Sequence, residues 1–118
     1  MGEIKKQYDL EDRTLAFAKR VRLFVGKLKK TLSVIEDGKQ VVRSSGSIGA
    51  NYIEANESLS KKDFLMRIKI CRKEAKETVY WLSLLDSDTI DGEKERKSLS
   101  QEAKELTMIF GSIVTKSV

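Results

Sequence analysis

The sequence predicts an all-α protein, an antiparallel up-down-up-down four-helix bundle, on three grounds. Its 118 residues include no Pro and only seven Gly, and Leu, Lys, Glu, Ala, Ile and Ser dominate, so helix formers are abundant and helix breakers scarce. Apolar residues recur in alternating steps of four and three along four separate segments, which marks one core-facing stripe on each. The stretches between these segments are short and polar, and short connections make neighbouring helices antiparallel. A chain of this length fits one domain, residues 1–118, able to build a core without disulfide or metal staples.

The first helix is expected over about 9–30, with Asp9 as N-cap and Glu11 and Asp12 against the positive end of its dipole. Leu10, Thr14, Phe17, Val21, Phe24 and Leu28 form its core stripe, and Arg13, Arg20 and Lys27 run beside it at intervals of seven. Lys29 and Lys30 suit a helix C-terminus, and Asp37-Gly38 reads as turn chemistry, so Thr31–Gly38 is expected as a connection. The second helix, about 39–57, carries Val41, Ser45, Ile48, Tyr52, Ala55 and Leu59 on one face. Ser58–Ser60 should turn. Ser60 with Asp63 three residues on resembles a capping box, and it opens a third helix over about 61–86 with Phe64, Ile68, Cys71, Ala75, Thr78, Leu82 and Leu85 inward. Asp86–Gly92 is an acidic turn whose spacing and missing terminal Glu do not make a calcium loop. The fourth helix, about 93–116, repeats the rhythm with Leu99, Ala103, Leu106, Phe110 and Ile113.

One stretch is unusual for a helix. Arg43–Ala55, RSSGSIGANYIEA, keeps the apolar spacing yet holds Ser44, Ser45, Gly46, Ser47 and Gly49, and each interior Gly costs about 1 kcal/mol relative to Ala. Small side chains there imply close approach of a neighbouring helix. Beside the apolar stripe lie Ser47, Asn51 and Glu54, which need partners if they are half buried. Antiparallel pairing of the second and third helices about the turn near residue 60 sets Ser47 opposite Arg72, so a polar seam of Arg43, Ser47, Asn51, Glu54 and Arg72 is expected, with Lys61 nearby.

The net charge is +5 and unevenly spread: residues 1–30 hold nine basic and four acidic side chains, and residues 61–86 hold seven and four. A basic surface on the first and third helices would attract phosphates or an acidic partner, with Arg13, Arg20, Lys27, Arg67, Lys69, Lys73 and Lys76 as the candidate contacts. The same residues also fit plainly solvated helix faces. No His is present, Cys71 is solitary and within a helical pattern, and no Gly-rich phosphate loop or Glu-x-x-His metal arrangement occurs. An enzyme, a cofactor and a metal centre are therefore not expected, and no residue is named as catalytic, cofactor-binding or metal-ligating. The lone Cys points to a reducing compartment, and the absence of a membrane-length apolar run or signal-like N-terminus to the cytoplasm. Position 6 is Lys, so the Met-Gly start lacks the downstream hydroxyl of a myristoylation signal.

The run SIGANYIEANES, with DLEDRTLAFAKRV before it, Arg43-Ser44, SKKDF at Ser60–Phe64 and EAKETVYWLSLL at Glu74–Leu85, resembles the bacterial 23S ribosomal RNA intervening-sequence proteins over about residues 8–115. The chain departs from their pattern at Gly49, where many carry Pro, and at Ala55, often Gly. The resemblance implies a four-helix bundle, assembly as a homo-oligomer with a pentameric ring the best-known form, and no established enzymatic activity. It also implies kinship with accessory proteins of diversity-generating retroelements, and thus RNA or DNA and a reverse transcriptase as possible partners. Of the seam, Ser47, Asn51 and Glu54 fall in the family's signature stretch and Arg43 in the Arg43-Ser44 pair before it. Two functions follow: a non-enzymatic oligomer that binds nucleic acid or a ribonucleoprotein through its basic surface, or a protein-interaction scaffold that binds no nucleic acid. Adjacent Tyr80 and Trp81 cannot both point at one core centre, which leaves one of them for an interface.

Overall fold

Four helices carry the chain, α1 Gly2–Lys27, α2 Leu32–Asn56, α3 Lys61–Ser83 and α4 Ile90–Ser117. The computed structural model describes residues 2–118, with side chains from Leu10 onward. Each helix packs against its two neighbours in a ring, α1 on α2, α2 on α3, α3 on α4 and α4 back on α1, and among the described residues the last contact is the thinnest. This is the antiparallel up-down-up-down bundle that the apolar rhythm predicts. At about 1.5 Å per residue the 28 residues of α4 span about 42 Å, close to the 45 Å long axis of the molecule.

The core follows the predicted stripes. Phe17 and Val21 of α1, Val41 and Ile48 of α2, Ile68 and Leu82 of α3, and Leu99, Leu106 and Phe110 of α4 are essentially inaccessible and belong to one continuous cluster. Each such side chain contributes about 1.5–3 kcal/mol by leaving water. Tyr52 of α2 reaches across the bundle to Phe110 of α4, with ring centroids 5.8 Å apart. Buried hydroxyls are bonded: Thr14 donates to the Leu10 carbonyl at 2.7 Å, and Ser44 and Thr78 share a 2.8 Å bond between α2 and α3. Among the described residues no buried side-chain polar atom lacks a partner. Leu59 is the exception to the stripe. It sits in the α2/α3 turn beyond the helix end and is fully exposed.

The helix boundaries differ from expectation at several points. Helix α1 is already running at Gly2, so Asp9 is not its N-cap; the Asp9 side chain lies outside those described. No residue of Glu3–Tyr8 breaks a helix, and a polar first turn carries no apolar rhythm by which to place it. It ends at Lys27, three residues early, where Lys30 folds back and donates to the carbonyls of Val25, Gly26 and Leu28 at 3.2, 3.3 and 2.9 Å. Helix α2 starts at Leu32 rather than Lys39, because Thr31 takes an extended conformation and accepts the Val34 amide at 3.2 Å.

Asp37-Gly38 is therefore helical. Tertiary contact overrides its turn chemistry: Gly38 is buried, and a Cβ there would stand 3.0 Å from Val25 Cγ1 of α1. Close approach explains the small residues further along α2 as well. A Cβ on Gly49 would come within 2.8 Å of Thr14 Oγ1, a hydroxyl already tied to the α1 backbone.

Ser60 caps α3, accepting the Asp63 amide at 3.1 Å, the main-chain half of the expected capping box. Helix α3 stops at Ser83, so Leu84–Asp86 belong to the connection. Helix α4 begins three residues before expectation at Ile90, because Thr89 accepts the Gly92 amide at 2.9 Å. Glu93 fastens this connection: it accepts the Ser87 amide at 2.8 Å and pairs in bidentate fashion with Arg96 at 2.7 and 2.8 Å. The Arg96 hydrogen bonds, with the Ser87 amide, hold the Glu93 carboxyl down at about 2.

Candidate nucleic-acid interface

The seven basic candidates fall into three settings. On α1, Arg13 makes a bidentate pair with Glu102 of α4, at 2.7 and 2.8 Å, and reaches Glu105 at 3.0 Å. Its pKa is raised by the Glu102 hydrogen bond first, with the two carboxylate charges adding to it. Arg20, two turns on, pairs with Glu95 at 3.0 and 3.2 Å and donates to Ser98. This row faces α4 and stitches the thin side of the bundle; its charge is already spent on carboxylates. Lys27 lines a cavity of about 430 Å³ beyond it, alongside Asp91 and Glu95, a poor setting for an anion.

Arg67 belongs to the seam between α2 and α3. It donates to Asn51 Oδ1 at 3.2 Å and stands 3.9 Å from Glu54, while the Asn51 amide donates to the Ser47 carbonyl and hydroxyl at 2.9 and 3.0 Å. Arg43 pairs with Glu74 at 3.2 Å and Glu77 at 3.6 Å. The expected Ser47–Arg72 pairing is not formed. Arg72 lies on the other flank of α3, where its Cδ would be 3.7 Å from a Cβ on Gly111 of α4. The five residues that separate Arg67 from Arg72 turn the helix by about 140°, so only one of them can face α2. Lys61, too, makes no bond to the seam.

The third setting is a groove of about 1000 Å³ between α3 and α4. Lys69, Arg72, Lys73 and Lys76 come from α3 and Lys104 from α4, and no carboxylate lines the groove. Among the described residues, Lys69, Arg72, Lys76 and Lys104 make no ion pair within 4.0 Å, and Lys73 only touches that limit with Glu74. Spacings of three and four put the α3 cations on one face. The rest of the lining is Val79, Tyr80, Met108 and Thr107, whose hydroxyl is bonded to the Ala103 carbonyl at 2.8 Å. Lys104 of α4 shares this lining with Val79 and Tyr80. Like charges gathered in one cleft concentrate their field there.

Sequence reasoning named three of these five cations as ligand contacts. Pairing by sequence number puts Arg72 in the seam, and Lys104 lies in a segment, residues 87–118, whose acidic side chains outnumber its basic ones. Met108 has no signal in the sequence, because an apolar residue in a helical rhythm reads as core. The adjacency of Tyr80 and Trp81 leaves one of them for an interface, and Tyr80 is that exposed member while Trp81 packs on the core.

Burial pushes the Cys71 thiol up to about 12, and its Sγ donates to the Ile48 carbonyl inside the core. Among the described residues no group of three acidic or Cys side chains gathers to hold a metal, and no helix is long and apolar enough to cross a membrane.

With this architecture in hand, residues 6–112 match the model of the 23S rRNA-intervening sequence proteins. The chain belongs to that family. Among solved structures it is similar to a protein with unknown function from the S23 ribosomal protein family of Bacteroides thetaiotaomicron, 34% identical over 88% of this chain and 96% of that one, with a TM-score of 0.73. No curated protein matches. Membership of the intervening-sequence family gives the chain its fold, and the reading of its function rests on its own surface.

Proposed function

We propose that this intervening-sequence protein is a non-enzymatic nucleic-acid-binding protein that holds phosphates in the α3/α4 groove. One observation supports the reading above the rest: five cations line a single groove without a carboxylate among them, whereas Arg13 and Arg20 are consumed by ion pairs. Recognition through phosphates is sequence-tolerant and salt-dependent. A homo-oligomer, the pentameric ring that the family resemblance implies, would multiply a weak groove by avidity. Leu15 and Ile53, half exposed along the α1/α2 face away from the groove, give such assembly an apolar surface. Light scattering on the purified chain reads the subunit number, and a monomer at high concentration ends that part of the reading. This reading places the protein in the cytoplasm, a setting in keeping with the free thiol of Cys71, and a reverse transcriptase partner rests on the family resemblance alone.

The test is fluorescence anisotropy with labelled mixed-sequence RNA and DNA. Binding at about 50 mM salt should weaken steeply as salt rises, and the triple variant Lys69→Gln, Lys73→Gln, Lys76→Gln should lose at least about tenfold in affinity with a salt slope shallower by about two to three. Wild-type protein with no affinity at low salt, or a triple variant that binds unchanged, sinks the proposal. An RNase-resistant complex with an acidic protein, recovered from the native host and broken by the same triple variant, selects the scaffold function instead.

A further inference from the structure

We infer that the groove takes an unpaired strand, with a base stacked on Tyr80 while the neighbouring phosphates lie along Lys76, Lys73 and Lys69. This rests on the groove being the nucleic-acid site and adds what kind of nucleic acid it accepts. Tyr80 continues the cation stripe of α3, four residues beyond Lys76, so the aromatic ring and the first ammonium are offset by about 6 Å along the helix. Its side chain is 59% exposed, an unusual position for a large ring on a helix that has a core face available.

The ring is nonetheless held in place. Trp81, partly buried against the core, meets it edge-to-face with centroids 5.1 Å apart and planes at 75°. A perpendicular partner can cover at most one face of a ring, and the Tyr80 side chain borders the groove. On the opposite helix Met108, which lines the same groove, is 74% exposed and offers an adaptable apolar side chain. Phosphate binding alone needs neither feature. Cations beside an exposed aromatic form the combination by which proteins hold single strands, because every unpaired base has a free π-face, whereas duplex bases are already stacked on one another.

Binding is measured with a labelled twelve-nucleotide oligo-dT, its duplex with oligo-dA, and a twelve-unit abasic strand that keeps the phosphates but has no bases. Wild-type protein should prefer oligo-dT over duplex by at least about tenfold. Tyr80→Ala should weaken oligo-dT about tenfold and change the duplex and abasic strand less than twofold, while Tyr80→Phe, which keeps the ring, stays within twofold of wild type on all three. Emission of Trp81, the only Trp in the chain, should change on adding oligo-dT and not on adding the abasic strand. If Tyr80→Ala has no effect, or weakens all three probes alike, the stacking inference is overturned while loss of binding in the triple Lys variant leaves the groove in place. If the triple Lys variant binds oligo-dT as wild type does, both fall.

Discussion

Helix α4 meets basic residues on both of its flanks and treats them oppositely. Toward α1 it presents Glu95, Glu102 and Glu105, which bind Arg13 and Arg20. Toward α3 it presents Lys104, Thr107 and Met108, and the cations of α3 are left facing solvent and one another. The two rows look alike in the sequence, both of them Lys and Arg at helical spacing. The residue types on the facing helix decide which row is structural glue and which is a charged surface. A thin helix contact bridged by bidentate Arg–carboxylate pairs and an open groove lined by unpaired ammonium groups are two outcomes of one pattern.

The largest effect should come from removing the stitching. Arg13→Gln with Arg20→Gln should cost about 2 kcal/mol of stability, since two partly exposed bidentate pairs are worth about 1 kcal/mol each and each leaves carboxylates behind. Urea denaturation measures the loss, and nucleic-acid affinity should not change. A double variant that keeps its stability and loses affinity would reverse the roles of the two flanks. Next in size, Lys104→Glu copies the α1-facing chemistry onto the α3 side. Nucleic-acid affinity should fall about tenfold, about 1.4 kcal/mol, and the urea midpoint should hold or rise slightly as the α3 cations gain a partner; unchanged affinity would show that the groove does not act as one unit. The smallest change is Gly111→Ala. Its Cβ would meet Arg72 Cδ at an ordinary 3.7 Å, so the helix-propensity gain of about 0.5–1 kcal/mol should appear in the thermal midpoint. A loss instead would mean that α3 and α4 lie closer than the groove implies.

Most of the fold was legible because burial of a helix face leaves a period in the sequence. Phe17, Val21, Ile68, Leu82, Leu106 and Phe110 were placed in the core by spacing, and the core holds them. Boundaries were harder, since Thr31 and Thr89 act as caps through one hydroxyl each and Gly38 looks like a turn until Val25 is packed against it. At the site the limit was different in kind. The cations of α3 could be counted, but whether Arg67 or Arg72 faces α2 depends on the rotation of α3 about its own axis, which pairing by sequence number does not set. Arg67 reaches Asn51 and Arg72 reaches toward α4, because about 140° of helix separates them and only one can face α2.

By itself, then, the sequence determined that four amphipathic helices form an antiparallel bundle, that Arg43–Ala55 is built for close approach, and that Cys71 is core. These follow from local propensity and periodic burial, which every window of the chain reports. Only the tertiary structure decided which charges cancel, because an ion pair is a property of two helices and of their relative rotation. Arg13 and Arg20 met carboxylates, Lys69 and Lys76 did not, Lys73 only touches Glu74 at 4.0 Å, and the exposed ring of Tyr80 came to lie at the end of that row.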